Sequence, residues 1–324
     1  MKTLLRIDAS IRLTGSHTRE LTNHFETAWL RANPGGRVMR RCLANDAVEH
    51  LSQPSFDVIA PESAALIEEL TLADHIVIGS PLYNFGVPSA LKAYFDHVVR
   101  AGQTFAVEQG QYRGLLGDKR ATLITARGGN RSPGVSDDFQ QGHLRQLLAF
   151  IGIAQVDVVS VEGTSADARD RRAAMDRARQ AIDRLLEPPV WLGTFSARDR
   201  DEIEQLRSGQ ANAIMAGDAE AYAALCSEDI HLLIPTRELV AGKERFLEAQ
   251  QALFRSARFC NFRKTPVRVE RSGDLAVEVG RQQVQMETQG QAQGIFAAHQ
   301  KYTHVFRHTP DGWRFAVLMS NPSE

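Results

Sequence analysis

His75-Ile76-Val77-Ile78-Gly79, followed shortly by Pro81-Leu82-Tyr83-Asn84-Phe85-Gly86-Val87-Pro88, is the stretch that decides the fold of this chain. Three successive β-branched apolar residues predict a strand buried on both faces of a parallel sheet. Pro81 and Gly86 punctuate a turn. Pro88, with Ser89-Ala90-Leu91-Lys92-Ala93-Tyr94-Phe95 behind it, predicts a helix with proline in its first turn. The loop therefore lies beyond the strand's carboxyl end, where open parallel sheets bind their ligands. Tyr83 and Phe85 offer flat apolar surface. Asn84 and the neighbouring backbone N–H groups offer hydrogen bonds to the edge of a planar heterocycle.

Upstream and downstream of this unit, from residue 2 to about 186, strand-like and helical runs alternate. Leu4-Leu5-Arg6-Ile7 precedes a helix over 16–31, and Val38-Met39-Arg40-Arg41-Cys42 leads to a helix over 63–72. Thr122-Leu123-Ile124-Thr125 precedes a helix over 140–151, and Val156-Asp157-Val158-Val159 a long helix over 166–186. Strict alternation predicts a doubly wound α/β sheet with helices on both faces. The spacing predicts the strand order 2-1-3-4-5, which gathers the loops after strands 1, 3 and 4 at one rim.

Those loops carry suitable residues. After strand 1 come Ser10 and Gly15-Ser16-His17-Thr18, hydroxyl residues at a helix start, where unpaired N–H groups and the positive dipole end hold phosphate. Ser16 alone reads equally as an N-cap, and His17 as an exposed helix-start residue. After strand 4 comes Arg127-Gly128-Gly129, which alone reads as a turn. Together the loops suit one phosphate and one ring, and a flavin has both. No Gly-x-Gly-x-x-Gly follows any expected strand, so a mononucleotide fits better than a resident dinucleotide.

These residues, with Leu91-Lys92-Ala93-Tyr94-Phe95-Asp96 and Arg100-Ala101-Gly102-Gln103-Thr104-Phe105, resemble the FMN-dependent NADH azoreductases, also described as NAD(P)H:quinone oxidoreductases of the flavodoxin-like fold. The resemblance covers residues 1–186. It implies tightly bound FMN, with Ser10, Ser16, His17 and Thr18 at the phosphate and Leu82, Tyr83, Asn84, Phe85, Ala126, Arg127, Gly128 and Gly129 framing the ring. NADH or NADPH is then the transient donor, and a quinone or azo compound the acceptor in a ping-pong two-electron cycle. A homodimer completes the pocket. No acid or base side chain is required beyond the flavin; backbone groups of Asn84, Gly128 and Gly129 are expected beside the ring. Leu82 stands where the family commonly has Met, and Ala126 where it has Ser. The missing hydroxyl removes a hydrogen bond worth roughly 1 kcal/mol. The loop 130–135 also differs.

At 324 residues the chain predicts two domains, and its 43% apolar content suffices for their cores. The net charge of −1 leaves neither half with the basic excess that nucleic acid or an anionic membrane surface requires. No 18-residue apolar run appears, and the start lacks the apolar core of a signal peptide, so the expected compartment is the cytoplasm. Cys42, Cys226 and Cys260 are widely spaced and suggest neither disulfides nor a metal site.

Glu187-Pro188-Pro189 stops the last helix, so the expected division is a flavodoxin-like domain over 1–187, a linker over 188–197 and a second domain over 198–324. Trp191 and Phe195 are expected to pack on one of the domains. The second half predicts helices over 199–215, 219–225 and 242–254, a strand over 230–234 and then strands, with Pro310-Asp311-Gly312 a hairpin turn. That is an α+β arrangement with an antiparallel sheet. It resembles the nuclear-transport-factor-2-like, or SnoaL-like, cone fold, through Ala216-Gly217-Asp218, Asp229, Gly242 and Trp313-Arg314-Phe315. Residues 302, 304, 306 and 308 share one face, so His304 is a pocket candidate with His231, Asp229 or Arg237 across from it, or else these are satisfied polar groups or surface residues. Two other functions stay open: a flavodoxin-like electron carrier or redox-responsive binding module, and a C-terminal cyclase or isomerase assisted by the flavin domain.

Overall fold

A computed structural model describes residues 2–52, 60–108, 110–117, 119–129, 139–235, 238–288 and 294–322, with backbone alone at 261 and 294–297. The altered loop 130–135 and Arg237 lie outside them. The chain divides into two compact units, Met1–Glu187 and Pro188–Glu324.

In the first unit the elements are β1 (Thr3–Asp8), α1 (His17–Ala32), β2 (Arg37–Cys42), α2 (Pro61–Leu72), β3 (His75–Pro81) and α3 (Ser89–Val98). Then come β4 (Phe105–Glu108), β5 (Gln111–Gly114), β6 (Arg120–Ala126), α4 (Phe139–Phe150), β7 (Gln155–Val161) and α5 (Ala168–Leu186). The sheet runs β2-β1-β3-β6-β7 and every pairing is parallel. With the β4–β5 hairpin set aside as its own two-stranded ribbon, this is the expected 2-1-3-4-5 order.

The continuous apolar runs split by alternation onto two faces. Leu5, Ile7, Ile76, Ile78 and Leu123 meet Leu66, Leu70, Leu91, Phe95, Leu144 and Leu148 of α2, α3 and α4. Leu4, Val77, Ile124 and Val159 meet Leu21, Phe25, Trp29, Met175 and Ile182 of α1 and α5. Each such buried side chain contributes about 1.5–3 kcal/mol, so truncating Leu123 to alanine should cost about 2–5 kcal/mol. His75 and His97 belong to this interior. His75 Nε2 is 2.9 Å from Thr122 Oγ1, and burial pushes its pKa well below the usual histidine value. His97 Nδ1 is 2.8 Å from Ser63 Oγ. Phe105 packs on Phe150, ring centroids 4.7 Å apart, which ties the hairpin to α4.

The second unit holds β8 (Val190–Leu192), α6 (Ala197–Ala216), α7 (Ala219–Ala224), β9 (Cys226–Leu233), β10 (Val240–Ala241), α8 (Lys243–Ser256), β11 (Ala257–Ser272), β12 (Leu275–Thr288), β13 (Gly294–Thr309) and β14 (Gly312–Pro322). Its seven-stranded sheet runs β10-β9-β14-β13-β12-β11-β8. The sheet is mixed, where the sequence suggested antiparallel strands. β14 returns beside β9 in the same direction, and β8 lies parallel to β11. Alternating apolar residues report a covered face and carry no information about strand direction, so the pattern alone misses this. Register shifts at 259/261, 266/268 and 305/306 mark bulges, which bend long strands.

Ile203, Leu206 and Ile214 of α6, Tyr222 of α7 and Phe246 of α8 cover one face, against Ile230, Val269, Phe306 and Phe315. α6 starts with a capping box between Ser196 and Asp199 and ends at Gly217, whose φ of 69° suits a residue without Cβ. Burial would raise the Asp199 carboxyl, but hydrogen bonds from Trp313 and Ser196 and the Arg271 charge outweigh it and bring it down to about 2. The stretch read as a linker contributes β8 to this sheet, Trp191 and Phe195 stack edge-on at 4.8 Å, and Phe195 enters the core.

Candidate functional site

The carboxyl ends of β1, β3, β6 and β7 form one rim, because their registers end level. Asp8 pairs with Gly79, Pro81 with Ala126, and Ala126 with Val161. The loops leaving that rim are tied together. Ala9 N–H donates to Gly79 O at 2.9 Å, Leu82 N–H to Ala126 O at 2.8 Å and Arg127 N–H to Val161 O at 2.9 Å. Ser10 Oγ and Tyr83 Oη approach to 3.4 Å, so the first and third loops touch through predicted residues.

On the phosphate side, Ser16 caps α1, its hydroxyl accepting from Arg19 N–H at 3.4 Å and lying 3.2 Å from Thr18 Oγ1. The cap reading and the phosphate reading coexist, since one hydroxyl satisfies only one of several unpaired N–H groups at a helix start. Ser10 and Thr18 are buried, while Ser16 and His17 are half-buried at the mouth. The Asp8 carboxylate is already engaged by Thr22 Oγ1 at 2.6 Å, Arg6 Nε at 2.9 Å and Arg19 at 3.3 Å. Its charge is therefore compensated within the fold.

On the ring side, Tyr83 and Gly86 exchange backbone hydrogen bonds at 3.1 and 3.0 Å across a tight turn. The central residues have positive φ, 48° at Asn84 and 68° at Phe85. The sequence marks this turn by Pro81 and Gly86, and the structure puts its left-handed residues one and two positions before Gly86. Asparagine tolerates that region, whereas phenylalanine there is strained by about 1–2 kcal/mol. Phe85 is nevertheless 70% exposed, so its own fold gains little from the ring it displays.

The 127–129 segment is zipped to the loop after β7. Thr164 N–H donates to Arg127 O, Ser165 N–H to Gly128 O and Gly163 N–H to Gly129 O, at 3.1, 3.1 and 3.2 Å. The carbonyls thus face β7, and the Gly128 and Gly129 N–H groups have no partner among the described residues. A Cβ on Gly128 would sit 2.7 Å from Ser165 Oγ, while one on Gly129 would meet nothing within 4 Å. Packing requires the first glycine, and among the described residues nothing covers the second. Ala126 is buried.

Hydroxyls and helix N–H groups on one side, and bare glycine N–H groups and an exposed aromatic ring on the other, form a donor set that fits a phosphate joined to a planar heterocycle. FMN matches it. Two supports escaped the sequence reading. The Arg19 guanidinium donates to Ser10 O at 3.1 Å and Arg12 O at 3.3 Å, clamping the first loop. Gln140, fully buried, donates through Nε2 to Ser80 O, Ser80 Oγ and Pro81 O at 3.0, 2.9 and 2.8 Å, fixing the exit of β3. Both sit on helices where periodicity reports only faces.

Residues 1–186, more than half of the chain, match the model of the flavodoxin-like fold family. The chain belongs to that family. Residues 203–319 match the SnoaL-like domain. Among curated relatives, FMN-dependent NADH:quinone oxidoreductase 3 of Pseudomonas aeruginosa is 39% identical over 206 residues, 59% of this chain and 96% of the relative. FMN-dependent NADH:quinone oxidoreductase 6 of Burkholderia lata is 37% identical over 196 residues, 56% of this chain and 98% of the relative. The structure of an FMN-dependent NADH-azoreductase from Bacillus anthracis, solved with FMN, superposes with a TM-score of 0.52 at 23% identity, covering 58% of this chain and all of that one. It supports the flavodoxin-like fold of the first unit.

In the SnoaL-like unit the partner found for His304 is not among those expected; Arg237 lies outside the described residues, and His231 stands in register with Val317 of β14. Tyr302, His304 and Phe306 are buried, whereas His308, beyond the bulge at 305/306, is exposed. Asp229 forms an ion pair with Arg307 at 2.7 Å, both about half exposed. The group facing His304 is Lys264, whose Nζ lies 3.0 Å from Nδ1. β11 and β13 are separated in the sheet by β12, so sequence periodicity gave no means of matching the two positions. Among the described residues there is no cluster of His, Cys, Asp or Glu suited to a metal, and no helix is long and apolar enough to cross a membrane.

Proposed function

We propose that this protein is an FMN-dependent NAD(P)H oxidoreductase that reduces quinones and aromatic azo compounds. The carrying observation is the meeting of three loops at one rim, with Ser10 against Tyr83 and Leu82 bonded to Ala126. The relatives, FMN-dependent NADH:quinone oxidoreductases, support the cofactor and favour NADH as the donor.

When bound, FMN supplies hydride acceptance and donation. Ser10, Ser16, His17, Thr18 and the first N–H groups of α1 hold its phosphate. Leu82 to Phe85 and Ala126 to Gly129 frame its ring. The Gly128 and Gly129 N–H groups, without a partner among the described residues, would stabilise negative charge that develops on the ring, and Asn84 backbone atoms would hydrogen-bond it. Phe85 presents a flat surface to whichever aromatic partner occupies the open face, excluding water. Donor and acceptor share that face, so they bind in turn and the cycle is ping-pong.

Ile11 and Leu13, 68% and 54% exposed, continue the apolar surface beside the first loop, and a second copy of the chain is the occupant that completes the pocket. Three unpaired cysteines suit the reducing cytoplasm. An exposed aromatic turn and a net charge of −1 favour a substrate site over an acidic docking face for an electron carrier. Purified protein should be yellow, bleach with NADH without air, and regain colour on adding a quinone. Protein that folds but takes up no FMN at micromolar concentration would overturn the assignment.

A further inference from the structure

The interior of the SnoaL-like unit holds a polar set that the flavin chemistry does not use. Lys264 of β11 hydrogen-bonds the side-chain carbonyl of Gln210 on α6 and lies 3.0 and 3.3 Å from the two ring nitrogens of His304 on β13. The Gln210 amide is oriented by its Nε2, which donates to the Tyr222 hydroxyl, so its oxygen is turned to the amine. The rings of Tyr302, Phe315 and Phe262 stand around Nζ, with centroids at 4.9, 5.5 and 5.7 Å. The nearby carboxylate, Glu278, is already committed: it accepts from Tyr302 Oη at 2.8 Å and faces Arg207 Nε at 2.9 Å.

Charge balance then decides the state of the lysine. Arg207 and Glu278 cancel, leaving Lys264 as a second cation in this interior without a carboxylate of its own. Burial, with the Arg207 charge, brings Lys264 down to about 7 although Glu278 pulls it up. Burial and the same two cations hold His304 well below its usual value, so its ring is neutral. An unprotonated amine has two N–H donors and one lone pair. Gln210 and His304 accept both donors, and the lone pair is left among aromatic rings. Both partners are hydrogen-bond acceptors, which would repel a carboxylate ligand and leave the lone pair to an electrophile. As a whole residue Lys264 is half-buried.

We propose that Lys264 is a carbonyl-trapping amine, its Nζ condensing with a small apolar aldehyde or ketone to form an imine in a site positioned by Gln210 and His304. Desolvated lysines in apolar surroundings are activated for this reaction. The lone pair forms the N–C bond while the C=O π electrons move to oxygen. One Nζ proton passes to that oxygen through the His304 ring, giving the carbinolamine. The second Nζ proton follows as the C–O bond breaks and water leaves. Amine and carbonyl become imine and water, with no change in oxidation state. This inference stands independently of the flavin reading, since its product is read on a peptide of the second unit.

The test uses the full chain, incubated at pH 7 with benzaldehyde and cyanoborohydride and mapped by peptide mass spectrometry. The expected result is one adduct on the peptide containing Lys264, formed on the order of 10²-fold faster than on Lys92, Lys243 or Lys301, because an ordinary lysine near 10.4 is almost wholly protonated at pH 7. The terminal amine is resolved on its own peptide. Gln210→Leu should slow trapping and shift its pH profile, a change that loss of packing alone would not produce. Lys264→Arg should remove the adduct. Wild-type mapping needs no variant to fold: adducts spread over exposed lysines, with Lys264 unmodified in the folded protein, would overturn the proposal.

Discussion

Phe85→Gly separates what the turn after β3 does for the fold from what it does for a ligand. Phe85 has a φ of 68° and is 70% exposed, so the wild-type side chain costs backbone strain and returns little burial. Relief of that strain is worth about 1–2 kcal/mol, while the extra freedom of glycine in the unfolded chain takes back about 0.5–1 kcal/mol. The net expectation is a protein without FMN stabilised by about 0.5–1 kcal/mol. The ring's contact with a planar ligand is worth about 0.5–1.5 kcal/mol, so FMN or acceptor affinity should weaken by about 2- to 10-fold. Stability is best read by native-state amide exchange in β3 and β6, which reports the first unit alone, and affinity by flavin fluorescence titration. A variant destabilised by more than about 2 kcal/mol with unchanged flavin and quinone affinity would refute the reasoning, since Phe85 would then be a structural residue.

Three further expectations follow from polar groups held by specific hydrogen bonds. Gln140→Leu should destabilise the first unit by about 1–3 kcal/mol, because the carbonyls of Ser80 and Pro81 lose their donor; amide exchange at β3 measures it. Asp199 is held near 2, below its ordinary 3.8, so it contributes stability above pH 4 that is lost as pH falls through 2. The loss is about 2 kcal/mol, and acid unfolding followed at Trp313 should show it in wild type and not in Asp199→Asn. Lys264 gives a slope of the same sign in a higher window: held near 7 against an ordinary 10.5, it makes the unfolded chain bind more protons, so stability rises with pH above 7. Facing it besides Arg207 and Glu278, His304 is held well below its usual value by burial, and Tyr222, Tyr302 and Cys226 are pushed upward by burial and oppose the trend only at higher pH. Between pH 7 and 9 wild type should gain about 2–3 kcal/mol in exchange protection of β11 and β13, and Lys264→Met none.

The two units were unequally legible because they place their chemistry differently along the chain. In a doubly wound sheet each site segment directly follows its own strand, so a buried apolar run announces where the loop begins, and the handedness of the crossovers brings the loops together. Ser10, Tyr83 and Gly129 could be named from local pattern for that reason. What could not be named is whatever reaches a loop from elsewhere: Arg19 clamping Ser10, Gln140 holding Pro81, and the backbone strain that falls on Phe85 instead of Gly86. In the second unit alternation marks which residues face inward, and it placed Tyr302, His304 and Phe306 correctly inside. It says nothing about which inward residue lies opposite which, because that depends on strand order and bulges, and Lys264 precedes His304 by 40 residues. Lysine also carries a strong prior for the surface, which only a matched partner overturns. The residue that sequence patterning ranks as solvent-facing is thereby the one whose chemistry the fold alters most, and the pH dependence of β11 and β13 is where that alteration becomes measurable.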